Sequence, residues 1–161
     1  MPATTIRVSA IRRQLLVLVA GTALAATARA GSIIYGADKG PALGGHDPIA
    51  YFTDGAPKLG DAKFTTEWQG ATWRFVSAQN RDLFQAAPEQ YAPQYGGYCA
   101  FAMSSGSFSP GAPNRWRIES GKLYLNANIF AQSLWEADIP KRVIDADGHW
   151  PAKQSELEKR P

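Results

Sequence analysis

Apolar and polar residues alternate on both sides of a two-residue break near the middle of the chain. Phe64, Thr66 and Trp68 interleave with Thr65 and Glu67, and after Gln69-Gly70, Trp73 and Phe75 interleave with Thr72 and Arg74. A period of two flanking a glycine-bearing pair predicts a β-hairpin with one aromatic face. A second hairpin is predicted from Trp116 and Ile118 against Leu123 and Leu125, about Ser120-Gly121. Helical spacing appears elsewhere. Ser77 can cap a helix running to Ala87 with Leu83, Phe84 and Ala87 on one side, and Pro88 suits the first turn of a short helix to Tyr91. Asn128 can cap a helix through Ala137 in which Phe130/Leu134 and Ala131/Trp135 are i,i+4 pairs. Pro140 can open another, with Val143 and Ile144 facing inward. Ile49-Ala50-Tyr51-Phe52 reads as a short strand after the turn Gly44-Gly45-His46-Asp47-Pro48. Tyr95 to Met103 fits helix or strand, and residues 31–42 an irregular lead-in. No internal repeat is visible. Strands and helices do not alternate one for one, so the fold class is α+β: a small antiparallel sheet of two hairpins packed with several short helices.

Charge is uneven along the chain. The 161 residues hold 17 Lys+Arg and 14 Asp+Glu, but the first thirty contain Arg7, Arg12, Arg13 and Arg29 and no acid. Gln14 to Ala28 is uncharged, with a solid apolar core at Leu15 to Val19, and Ala28-Arg29-Ala30 has small residues where a processing enzyme would cut. A basic start, a short apolar middle and that ending predict a signal peptide over 1–30 and a periplasmic or otherwise exported protein. Arg12-Arg13 followed by Gln14-Leu15-Leu16 also resembles a twin-arginine signal, with Ile11 where a hydroxyl residue is usual. Removal of the leader takes four of the 17 basic residues and leaves 13 against 14 acids. The processed chain therefore has no positive field for nucleic acid and no apolar run for stable membrane insertion. What remains divides into one domain over 31–151 and a polar tail over 152–161. A single cysteine excludes an internal disulfide and a four-cysteine zinc site.

Three stretches carry a resemblance. They are Gly44-Gly45-His46-Asp47-Pro48-Ile49-Ala50-Tyr51-Phe52, then Tyr91-Ala92-Pro93-Gln94-Tyr95-Gly96-Gly97-Tyr98-Cys99-Ala100, preceded by Ser77 to Phe84, and finally Asp138-Ile139-Pro140 before Asp147-Gly148-His149-Trp150-Pro151. Their order and spacing, from about Leu43 to Pro151, resemble the exported YHS domain-containing proteins of bacteria. The resemblance implies metal handling, including copper, through short cysteine-bearing motifs. Only Cys99 matches such a cysteine, and no Tyr-His-Ser triplet follows it.

Two binding chemistries follow. A thiolate with a thioether suits Cu(I), and imidazole is a plausible third donor, which gives Cys99, Met103 and His46 as candidate metal ligands. Cys99 and Met103 share a face on a helix, whereas on a strand they would stand roughly 13 Å apart, too far to chelate one ion. The alternative is a non-metal binding module in which Tyr51, Tyr91, Tyr95 and Tyr98 line a cleft for a small apolar ligand or a partner segment, and Cys99 is a buried structural residue. An enzyme is the weakest expectation. There is no CxxC, no phosphate-binding glycine loop, and no spacing that ties Cys99 to His46 or His149 with Asp47 as orienter.

Overall fold

The computed structural model describes residues 31–160, so the leader over 1–30 lies outside the described residues. Both hairpins form where alternation predicts them. β1 (Asp61–Trp68) pairs with β2 (Ala71–Phe75), and β3 (Ala112–Glu119) pairs with β4 (Lys122–Asn126), each antiparallel. Their loops are Gln69-Gly70 and Ser120-Gly121, with φ of 53° and 71° and of 50° and 74°. Two successive left-handed residues match the right-handed twist of the flanking strands, which selects this turn for a two-residue hairpin. Among the described residues, six α-helices complete an α+β arrangement: α1 (Ala50–Thr53), α2 (Ala78–Ala86), α3 (Pro88–Tyr91), α4 (Ala100–Ser104), α5 (Ile129–Glu136) and α6 (Ile139–Glu158). Ser77 and Asn128 cap α2 and α5 as expected, accepting from the Asn80 and Ala131 N–H groups.

Three expectations are corrected. Ile49 to Phe52 is not a strand but the entry to α1. The Asp47 Oδ1 accepts the Ile49 N–H at 2.8 Å, the Phe52 and Thr53 N–H groups then close onto the Ile49 carbonyl, and Tyr51 is buried. Residues 152–158, expected within a polar tail over 152–161, continue α6, which runs through Pro151 to Glu158 and buries Leu157. Pro151 withholds an N–H from the carbonyl of Asp147, and Asp147 is exposed, so water can take that place. Finally, Val143 packs inward but Ile144 is 71% exposed, so only one of that pair faces the core.

The fold also contains a repeat that the side chains conceal. Pro41 to Gly45 and Pro93 to Gly97 make the same 3-10 turn. Leu43 and Gly44 have φ of 54° and 60°, Tyr95 and Gly96 have 56° and 62°, and both following glycines have 85°. In each copy the next residue bonds back to the turn, His46 N–H to Leu43 and Tyr98 N–H to Tyr95. The residue after that pairs with the loop before the hairpin, Asp47 N–H to Lys58 and Cys99 N–H to Ser109. A short helix, a hairpin and a capped helix follow in the same order. Even the irregularity in pairing recurs, between Asp61/Thr65 in one hairpin and Ala112/Trp116 in the other. Equivalent positions 51 apart plug the two cores, Phe84 in one and Trp135 in the other, both fully buried. The lead-in from Gly31 docks across the junction: Ser32 donates to the Gln69 carbonyl, and the Tyr35 N–H donates to the Gly96 carbonyl at 2.8 Å.

Candidate functional site

Cys99 is the N-cap of α4 and is 1% exposed. Its sulfur accepts weakly from the Ala102 N–H at 3.5 Å, and its thiol faces the Asn126 Oδ1 at 3.6 Å. That oxygen also accepts the Phe101 N–H at 3.2 Å, which fixes the orientation of the amide and leaves the buried Asn126 Nδ2 without a partner. Met103 lies one helical turn along α4, its N–H bonded to the Cys99 carbonyl, and is fully buried among aromatic residues of the second core. The segment that fitted either helix or strand is therefore helical from Ala100, with Cys99 as its extended N-cap. His46 belongs to the other copy of the repeat, where its Nδ1 bonds the Leu43 carbonyl at 2.9 Å. Asp47 does not orient an imidazole: both of its oxygens are taken, by the Ile49 and Val76 N–H groups and the Asn80 amide. Among the described residues no three His, Cys, Asp or Glu side chains group to hold an ion.

The four tyrosines do not share one cleft. Tyr51 is buried, donates to the Pro113 carbonyl at 3.0 Å and meets Trp116 edge-on. Tyr91 packs edge-on against Phe52, and Tyr98 packs between Tyr35 and Phe108. Tyr95 lines an open cleft of about 300 Å³, together with Trp68, Trp150 and Glu89. The cleft lies at the junction of the two repeat copies, between the tip of the first hairpin, the start of the second 3-10 turn and α6.

Tyr95 is the anchor of this junction. Its hydroxyl donates to the Asp147 Oδ1 at 2.8 Å, and its ring meets Trp150 edge-on with centroids 5.9 Å apart. Burial, and then the bond to Asp147, push its ionisation well above the ordinary phenol range, so it is a fixed neutral donor. Burial also raises Tyr51 and Tyr98, and lifts Tyr124 to about 12. None of these phenols is poised to act as a base near neutrality. Trp68 and Trp150 are the residues that the alternation pattern could not assign to a cleft. Trp68 lies on the aromatic face of a strand, which reads as core, and Trp150 stands next to a proline that suggested the end of the domain. Both are half-buried.

Residues 49–95 match the YHS domain. No curated protein and no solved structure matches the chain. The matched stretch begins just after the first 3-10 turn and ends inside the second, so it spans one copy of the repeat and is narrower than the resemblance from Leu43 to Pro151. The YHS domain is a candidate metal-binding domain. Here the donors do not follow the match. Residues 49–95 contain no cysteine, methionine or histidine, and His46, Cys99 and Met103 all lie outside them. The residues present therefore do not fit a closed metal site; a two-sulfur pair on α4 is the most they offer a soft ion.

Proposed function

We propose that this is an exported, non-catalytic binding domain whose ligand site is the cleft at Trp68, Tyr95 and Trp150. One observation carries the proposal: Trp68, Tyr95 and Trp150, from separate segments, line one open cleft, with both tryptophans half-buried and Tyr95 buried, whereas the sulfur and imidazole donors are sealed or dispersed. The volume of about 300 Å³ lies at the lower end of small-ligand sites. Export is supported by the basic and apolar pattern of residues 1–30, and among the described residues no helix is long and apolar enough to cross a membrane. The test is a ligand screen read by tryptophan fluorescence and by chemical shifts of the indole N–H groups. Ligands that shift Trp68 and Trp150 signals, and lose affinity in Trp150→Ala but not in Cys99→Ser, are the expected result. Perturbations confined to residues outside the cleft would overturn it.

A metal is the second proposal, favoured by the YHS match. Cu(I) would be held by Cys99 and Met103, two sulfurs separated by one helical turn, with His46 joining only if the repeat copies shifted. Burial of both sulfurs implies slow entry of the ion. Cu(I) titration of the reduced protein beside Cys99→Ser separates the two: stoichiometric binding lost in the variant supports copper handling, and equal binding by both proteins removes Cys99 from consideration.

A further inference from the structure

We infer that the cleft takes a neutral saccharide ring rather than an apolar molecule; this rests on the cleft being the ligand site. Gln69, Glu89, Gln94 and Gln154 stand among its lining residues, which disfavours the small apolar ligand that an aromatic cleft first suggests. The polar groups have a particular character. Among the described residues, the indole N–H groups of Trp68 and Trp150 bond to no protein group, and neither is sealed from solvent. Glu89, exposed on α3, makes no hydrogen bond or ion pair there, and the side-chain amides of Gln69 and Gln94 are also unpaired. Gln154 spends its Nε2 on Glu158 at 3.0 Å and keeps its Oε1 for a donor.

The half-buried indoles of Trp68 and Trp150 line the cleft together with the planar polar side chains of Gln69, Glu89, Gln94 and Gln154. Indole N–H groups donate only, a carboxylate accepts only, and a primary amide does both. A sugar ring presents the complementary set, with apolar C–H faces that lie on an aromatic ring and an equatorial belt of hydroxyls that each donate and accept. A hydrocarbon would leave the indole and amide groups unpaired, and a site built with such groups rejects a ligand that cannot satisfy them. An anionic ligand is disfavoured too, because the cleft has no lysine, arginine or histidine and one carboxylate. The closest competitor is an organic cation, attracted to the rings and to Glu89. It would make no use of the amides or the indole donors.

The experiment is calorimetry and indole N–H chemical shifts on the full chain, titrated in parallel with maltose and di-N-acetylchitobiose, with choline, and with 1-naphthol. Binding of a sugar with shifts at Trp68 and Trp150, weakened at least tenfold in Trp150→Ala, is the expected result. Trp150 packs on Tyr95, so Gln94→Ala and Glu89→Gln serve as surface variants that leave the core intact, and each should weaken sugar binding several-fold. Choline binding tighter than either sugar, or 1-naphthol binding alone at the same indoles, would overturn the saccharide assignment while leaving the cleft as the ligand site. Absence of indole shifts with every probe and across a glycan array would overturn both.

Discussion

Asp47 and Cys99 occupy the same place in the two repeat copies, and their exchange for alanine should expose how differently the copies are held together. Asp47 is fully buried and accepts three hydrogen bonds: from the Ile49 N–H at 2.8 Å, the Val76 N–H at 2.9 Å and the Asn80 Nδ2 at 2.7 Å. Those donors belong to the entry of α1, the end of the first hairpin and the first turn of α2. One carboxylate thus ties three elements that are distant in sequence. Removing it strands two backbone donors, at about 1–3 kcal/mol each, while Asn80 is half-exposed and can turn to water. Asp47→Ala should therefore cost about 4 kcal/mol. Asp47→Asn keeps one acceptor and should cost about half as much. Cys99 makes only two long contacts, at 3.5 and 3.6 Å, so Cys99→Ala should cost about 1 kcal/mol, mostly lost burial. Urea denaturation followed by tryptophan fluorescence measures all three. Equal losses at the two positions, or a loss below about 1 kcal/mol for Asp47→Ala, would refute the idea that the first copy is pinned by its carboxylate.

Three further outcomes are expected. Gly44 and Gly96 share nearly the same left-handed backbone, but a Cβ at Gly44 meets nothing within 4 Å, whereas one at Gly96 would drive into the Ile33 carbonyl. Gly44→Ala should thus cost about 1 kcal/mol of backbone strain, while Gly96→Ala should also displace the lead-in, seen as faster hydrogen exchange at Tyr35. Tyr51, Tyr95 and Tyr124 have raised phenol ionisation in the fold, so the unfolded chain loses these protons first, near pH 10, and stability is full below that pH and falls above it. Denaturation midpoints between pH 9 and 11 (on the order of 1.4 kcal/mol per unit of pH for each proton held) should drop steeply, and less so in Tyr95→Phe; a flat profile contradicts this. Alkylation of Cys99 should be slow in the native protein and fast in denaturant, as its burial dictates, and fast native labelling would mean that α4 opens readily.

The hairpins and capped helices were legible because their signals are local. A two-residue glycine turn between alternating runs, or a serine or asparagine three residues before the N–H it accepts, is complete within a few positions. Ile49 to Phe52 was not, because a four-residue apolar run has too little length for period two to be told from period 3.6. The Asp47 bond that starts α1 as a helix is completed by Val76 and Asn80 far along the chain. The end of α6 was hidden by Pro151, a residue that ordinarily stops a helix. The repeat was invisible for another reason: what recurs is backbone, carried by paired glycines and turn positions, while the side chains at equivalent places are His46 and Tyr98, Asp47 and Cys99, Phe84 and Trp135. Of the candidate site, only Tyr95 was legible, since nothing local distinguishes a tryptophan that closes a core from one that borders a cleft.

That divergence between the copies bears on function. If the same backbone unit is built twice, features the fold requires should occur in both copies, and features in one copy are candidates for selection on something else. The left-handed turns, the loop-to-strand bonds and the capped helices occur twice and are explained by folding. The sulfurs of Cys99 and Met103 occur only in the second copy, both buried, outside the stretch that matches the YHS domain. The cleft belongs to neither copy alone. Its walls come from the tip of the first hairpin, the second turn, the lead-in and α6, the one helix that extends far beyond its counterpart α3. Shortening α6 before Trp150 would remove a wall of the cleft, one partner of Tyr95 and the buried Leu157, whereas exchanging Cys99 leaves every wall in place. A ligand that stabilises the full chain through the cleft should thus stabilise Cys99→Ser equally and a Trp150→Ala protein not at all, and the opposite pattern would return the function to the thiol.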